Sequence, residues 1–95
     1  MIVIERLRWN PGNVAHIARH GITPDEVEQV CHGAPVVQIG RLGRFLVFGP
    51  THQGRILTVV LAPEPETGVF FPVTAHPASR PERAIYARER GGNQA

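Results

Sequence analysis

The chain has 95 residues, 42% of them apolar, with four Phe, one Trp and one Tyr to anchor a core, so it suits one modest globular domain and not a disordered segment. Its single cysteine, Cys31, excludes an internal disulfide, and no apolar run approaches the roughly 20 residues that a membrane-crossing helix needs. The net charge is only +2, yet all ten basic residues are arginine, whose planar fork can grip a phosphate through two parallel hydrogen bonds.

The opening "MIVIERLRWN" has charges at Glu5, Arg6 and Arg8, which break any export-type hydrophobic region and point to a cytoplasmic protein. Its alternation predicts a first strand, with Ile2, Ile4 and Leu7 apolar and Arg6 and Arg8 outward. Asn10 then offers an N-cap and Pro11 suits the first helical position, so a helix is expected to run to His20 and close at Gly21. The next cap, Thr23-Pro24-Asp25-Glu26, is a capping box that opens a second, short helix with Val27, Val30 and Cys31 on its inner face.

From Val36 the pattern changes to strand formers, "VVQIG", "RFLVFG", "RILTVVLA" and "GVFFPVTA", joined by short glycine-bearing turns. An antiparallel four-stranded meander follows, with Pro72 marking either an edge or a bulge. A third cap, Ser79-Arg80-Pro81-Glu82, opens a terminal helix that ends near Arg90. The expected fold is α+β: an N-terminal strand, two short helices, the meander and a C-terminal helix. Residues 1–90 form one domain and residues 91–95 a polar tail.

Charge is segregated along the chain. Residues 23–33 hold Asp25, Glu26 and Glu28 and no arginine, whereas residues 34–63 hold Arg41, Arg44 and Arg55 and no acid. A GC-rich coding bias would also favour arginine over lysine, so position is more informative than count.

Helical spacing sets Val14, Ile17 and Ala18 toward the sheet and gathers Asn13, His16 and His20 into a polar stripe. Two imidazoles at i, i+4 admit three readings: acid/base or phosphate-contacting groups, half of a metal site, or a structural flank. The metal reading lacks completion, because there is no HExxH glutamate, no cysteine pair, and His32, His52 and His76 fall in separate segments. No cofactor is expected. On the terminal helix Pro81, Ala84 and Ile85 are assigned inward, and Arg80, Arg83, Tyr86 and Arg90 outward, a surface with the chemistry to hold a sugar-phosphate backbone and stack on a base.

The segments "WN" at Trp9–Asn10, "RHGIT" at Arg19–Thr23 and "TAHPASRPERAIY" at Thr74–Tyr86, in that order, resemble the BrnT family of bacterial type II toxins, small ribonucleases with a RelE-like fold. His16 stands where the family commonly has asparagine, Arg19 where it has lysine, and His76 where an arginine usually follows the alanine. The resemblance implies a metal-independent endoribonuclease that cleaves mRNA through the 2′-hydroxyl, a cognate ribbon-helix-helix antitoxin as partner, and operator DNA bound only through that antitoxin.

On that expectation His20, His16 and His76 supply acid and base, while Arg80 and Arg83 hold the scissile phosphate. Arg19, Arg44, Arg55, Tyr86 and Arg90 then contact RNA. The alternative is a noncatalytic RNA- or protein-binding module on the same fold. All of this requires the early histidines and the terminal helix to meet in space.

Overall fold

A computed structural model describes residues 2–91. The elements in chain order are β1 (Arg6–Leu7), α1 (Pro11–Ala18), α2 (Pro24–Cys31), β2 (Val36–Ile39), β3 (Phe45–Pro50), β4 (Ile56–Pro63), β5 (Val69–Pro77) and α3 (Arg80–Gly91). Together they make an α+β domain around a five-stranded mixed sheet of order β1-β5-β4-β3-β2. The last four strands form the expected antiparallel meander, and β1 adds parallel to the outer side of β5.

The first strand is much shorter than its sequence pattern suggests. Only Arg6 and Leu7 pair, with Val69 and Phe70, although Leu7 is buried and Arg6 and Arg8 face outward as the alternation requires. Ile2 and Ile4 pack against the core without joining the sheet. Because β1 covers only the start of β5, the half of that strand ending at Pro77 has no strand beside it on that side among the described residues.

Alternation along the central strands sorts the core into two layers. Val47, Leu57, Val59, Leu61 and Ala75 meet Ile17, Ile22, Val27 and Val30 from the helical side, and most of these residues are fully buried. Phe48 and Thr58, cross-strand partners from the intervening positions, are buried beneath α3 on the other face, where that helix packs over β2 and β3. The helices thus sandwich the sheet.

Local chemistry explains the boundaries. Asn10 and Asn13 cap α1 reciprocally, each side chain accepting from the other's backbone N–H at 2.9 Å. Its end is a Schellman closure: Gly21 takes the left-handed conformation (φ 72°) and Ile22 N–H reaches back to the Ile17 carbonyl at 3.2 Å. Arg19 and His20 lie in that closing turn. Thr23 and Glu26 form the second capping box, and Ser79 and Glu82 the third.

Pro72 marks a bulge, and it also lies just past Phe70, where the pairing of β5 with β1 ends. Val60 faces Thr74 and Leu61 faces Pro72, so Val73 is the extra residue. Gly49 allows α2 to approach the sheet, since a Cβ there would come within 3.2 Å of Val30. No helix among the described residues is long and apolar enough to cross a membrane. Of the tail assigned to residues 91–95, Gly91 closes α3 and residues 92–95 lie outside the described residues.

Candidate functional site

The histidine stripe of α1 meets the end of β5. His16 and His20 are one turn apart with ring centroids 5.8 Å from each other, and His20 lies 6.5 Å from His76. Both pairs are set edge to face, with interplanar angles of 67° and 66°. Three imidazoles from residues up to 60 positions apart therefore form one row, exposed at His16 and His20 and half-buried at His76.

Each ring is placed by a different device. The Schellman turn fixes His20 at the end of α1, and Arg55 supports the turn by donating to the Gly21 carbonyl at 3.3 and 3.4 Å. His76 is the penultimate residue of β5, opposite Thr58 on β4. Its Nε2 lies 3.3 Å from Glu82 Oε1, the same oxygen that accepts from Ser79 N–H at 2.8 Å in the capping box. One carboxylate therefore caps α3 and holds the third imidazole.

Burial raises the affinity of the Glu82 carboxyl for its proton. The Ser79 N–H, the Thr58 hydroxyl and the neighbouring His76 outweigh burial together and hold the group below its usual value of 4.5. It is a carboxylate at neutral pH and an acceptor for an imidazole N–H. Thr58 is fully buried beside it, and its hydroxyl makes no hydrogen bond of ordinary geometry among the described residues.

The row can hold and transfer protons at two adjacent rings, one of them steadied by a carboxylate, which is the arrangement that orients an imidazole in acid/base chemistry. Among the described residues, no three His, Cys, Asp or Glu side chains are grouped as a metal set would require.

The other expected site residues divide into those near the row and those elsewhere. Arg80 begins α3, four residues after His76, and is exposed. Arg83 is exposed too, but one guanidinium nitrogen donates to the Ala78 carbonyl at 2.7 Å and clamps the loop that joins β5 to α3. Arg19 stands exposed beside His20, and Arg90 is exposed in the last turn of α3.

Arg55 proves to be a clamp, because it also lies 3.5 Å from Glu26 and ties the start of β4 to α2. Arg44 is half-buried beside Arg41 at the β2–β3 turn, at the far edge of the sheet from the histidines.

Two helical faces differ from their sequence assignment. Asn13 is not part of the polar stripe: it is 4% exposed and its amide donates to the carbonyls of Arg8 and Pro72, both at 3.1 Å. Ala18, expected against the sheet, is exposed. On α3, Ile85 turns inward as assigned, but Pro81 and Ala84 are exposed, and Glu82 and Tyr86 turn inward instead. Tyr86 is consequently half-buried and does not stand on an open arginine ridge.

Glu82 is the site residue that sequence reasoning missed. Its Ser-x-x-Glu spacing was visible, but a capping reading accounts for it fully. The added signal is its distance of six residues from a histidine at a strand end, where strand and helix must turn back on each other.

Neither protein-family models nor curated proteins match this chain.

Proposed function

We propose that the chain is a cytoplasmic, metal-independent endoribonuclease of toxin type, as its resemblance to the BrnT family implies. The observation that carries this reading is the adjacency of His20 and His76, with Glu82 behind His76 and Arg80 a turn away in sequence. RNA brings its own nucleophile. One imidazole withdraws the 2′-hydroxyl proton, the oxygen attacks the neighbouring phosphorus, and the second imidazole protonates the leaving 5′-oxygen, giving a 2′,3′-cyclic phosphate and a free 5′-hydroxyl.

Arg80 stabilises charge on the phosphoryl oxygens, and the remaining donors of Arg83 add to it. Arg19 and Arg90 extend the contact to the backbone. Glu82 holds His76 in one tautomer and one orientation.

The partner in this reading is an antitoxin with a ribbon-helix-helix DNA-binding half, and operator DNA is bound only through it. A short neighbouring reading frame with that pattern is the expected genomic companion.

Labelled RNA incubated with purified protein in EDTA tests the reading. Cleavage that persists in EDTA and falls at least about 100-fold in His20→Ala and in His76→Ala is the expected result. Salt-sensitive binding without cleavage makes the chain a noncatalytic module, and EDTA-sensitive cleavage makes it a metal-dependent hydrolase.

A further inference from the structure

The far edge of the sheet carries features that the nuclease reading does not use. β2 is the terminal strand and pairs only with β3. Its sequence, Val36-Val37-Gln38-Ile39, has no charge, no proline and no bulge to discourage a further strand. Val37 and Ile39 are exposed, Ile39 to 84%.

Two grooves lie on either side of this edge. On the face of α1 and α2, a groove of about 620 Å³ is lined by Ile2, Ile4, Val37, Ile39 and Phe45. On the face of α3, one of about 810 Å³ is lined by Arg41, Leu42, Arg44, Leu46 and Val60. Ile39, at the end of the strand, lines both grooves.

A strand added to β2 sends alternate side chains to opposite faces. One set enters the first groove, whose lining is apolar but for Gln38. The other enters the groove with two guanidinium groups, neither of which has a carboxylate within ion-pair distance among the described residues.

The β2–β3 turn adds an independent observation. Leu42 has φ 59° and ψ 33°, a left-handed conformation in which a leucine is rarely found, and its side chain is 87% exposed. The fold itself gains nothing from a leucine there. Beside the arginine groove, it supplies apolar contact area to whatever occupies that groove.

We propose that β2 is a docking edge for an extended acidic segment of a partner protein, which adds as a sixth strand with apolar side chains toward Val37 and Ile39 and carboxylates toward Arg41 and Arg44. A second copy of this chain fits less well, because residues 34–63 hold no carboxylate to meet Arg41 and Arg44. β2 is three strand spacings from β5, roughly 14 Å, so the docking edge is separate from the histidine row and the proposal does not depend on the nuclease reading.

The test is selection of a random decapeptide display library on the immobilised full chain, followed by titration of a synthetic peptide with the enriched sequence. Enriched sequences are expected to alternate apolar with polar residues and to carry acids. The peptide should slow amide exchange within residues 36–39. Its affinity should fall at least tenfold in Ile39→Asp and at least fivefold in Arg44→Glu, with the circular dichroism of both variants unchanged.

Failure to enrich any sequence, enrichment without alternation or acids, or equal affinity for Ile39→Asp overturns the proposal. So does concentration-dependent dimerisation that Ile39→Asp abolishes, because a second copy then holds the edge.

Discussion

At Glu82 a single oxygen accepts from the Ser79 amide and lies within reach of His76 Nε2, so its charge bears on both helix and site. In Glu82→Gln the amide oxygen can still cap α3, but the negative charge opposite His76 is gone. Because the folded carboxyl is held below its ordinary value, its stabilisation is complete above the usual carboxylate range and is lost as pH falls through the folded value. Urea unfolding at pH 7 should show Glu82→Gln about 1 kcal/mol less stable than the native chain, and the gap should close on acidification. An undiminished gap in acid would mean that the carboxylate's charge plays no part. Cys31 gives the opposite case, a group kept neutral. Burial, with Glu28 adding to it, pushes its thiol up to about 12, so iodoacetamide at pH 8 should label it only as the chain unfolds. The histidines of the row were legible as residues, since i, i+4 spacing and a strand end are visible in sequence. Their meeting was not, because contact between positions 20 and 76 depends on how α1 and β5 pack.

The element boundaries were read well wherever a cap encodes them. Asn10, Thr23 and Ser79 each open a helix, and Gly21 closes one, because side-chain oxygens and a left-handed glycine act locally. Helix faces were read less well, because polar residues took inward positions that an apolar count assigns to others. Asn13 turns in to satisfy two backbone carbonyls, and Glu82 turns in toward Ser79 and His76, bringing Ile85 and Tyr86 with it at i+3 and i+4. Asn13→Ala should therefore cost about 2–3 kcal/mol, since it removes the acceptor for the Asn10 N–H in the capping box and leaves the buried Pro72 carbonyl without this donor. His16→Ala, one turn along on the exposed face, should stay within about 0.5 kcal/mol. Equal losses in chemical denaturation would refute this division of α1. In the β2–β3 turn, Leu42→Gly should stabilise the domain by about 1 kcal/mol through release of the left-handed leucine, partly offset by glycine's greater freedom when unfolded.

Across the whole molecule, the arginines divide by what already holds them. Arg6 and Arg8 pair with Glu66 and Glu64 beside β1, and Arg55 is held by Glu26 and the Gly21 carbonyl, whereas Arg80 has no carboxylate within ion-pair distance among the described residues. Composition could not reveal this difference, since every arginine counts alike until the fold assigns it a neighbour. It sets the form of the salt dependence expected for RNA binding. Each arginine that neutralises a phosphate of a single strand releases a counterion and steepens the plot of log affinity against log salt by about 0.7. Arg80→Gln should make that slope shallower by about this amount without changing the melting temperature. Arg55→Gln should leave the slope alone and lower the melting temperature, because its guanidinium is committed to the turn that places His20. Fluorescence anisotropy of a labelled oligoribonucleotide over a salt series, with thermal unfolding of the same variants, separates the two. A slope that responds to Arg55 and not to Arg80 would move the RNA path away from the start of α3 and leave the histidine row without a phosphate to act on.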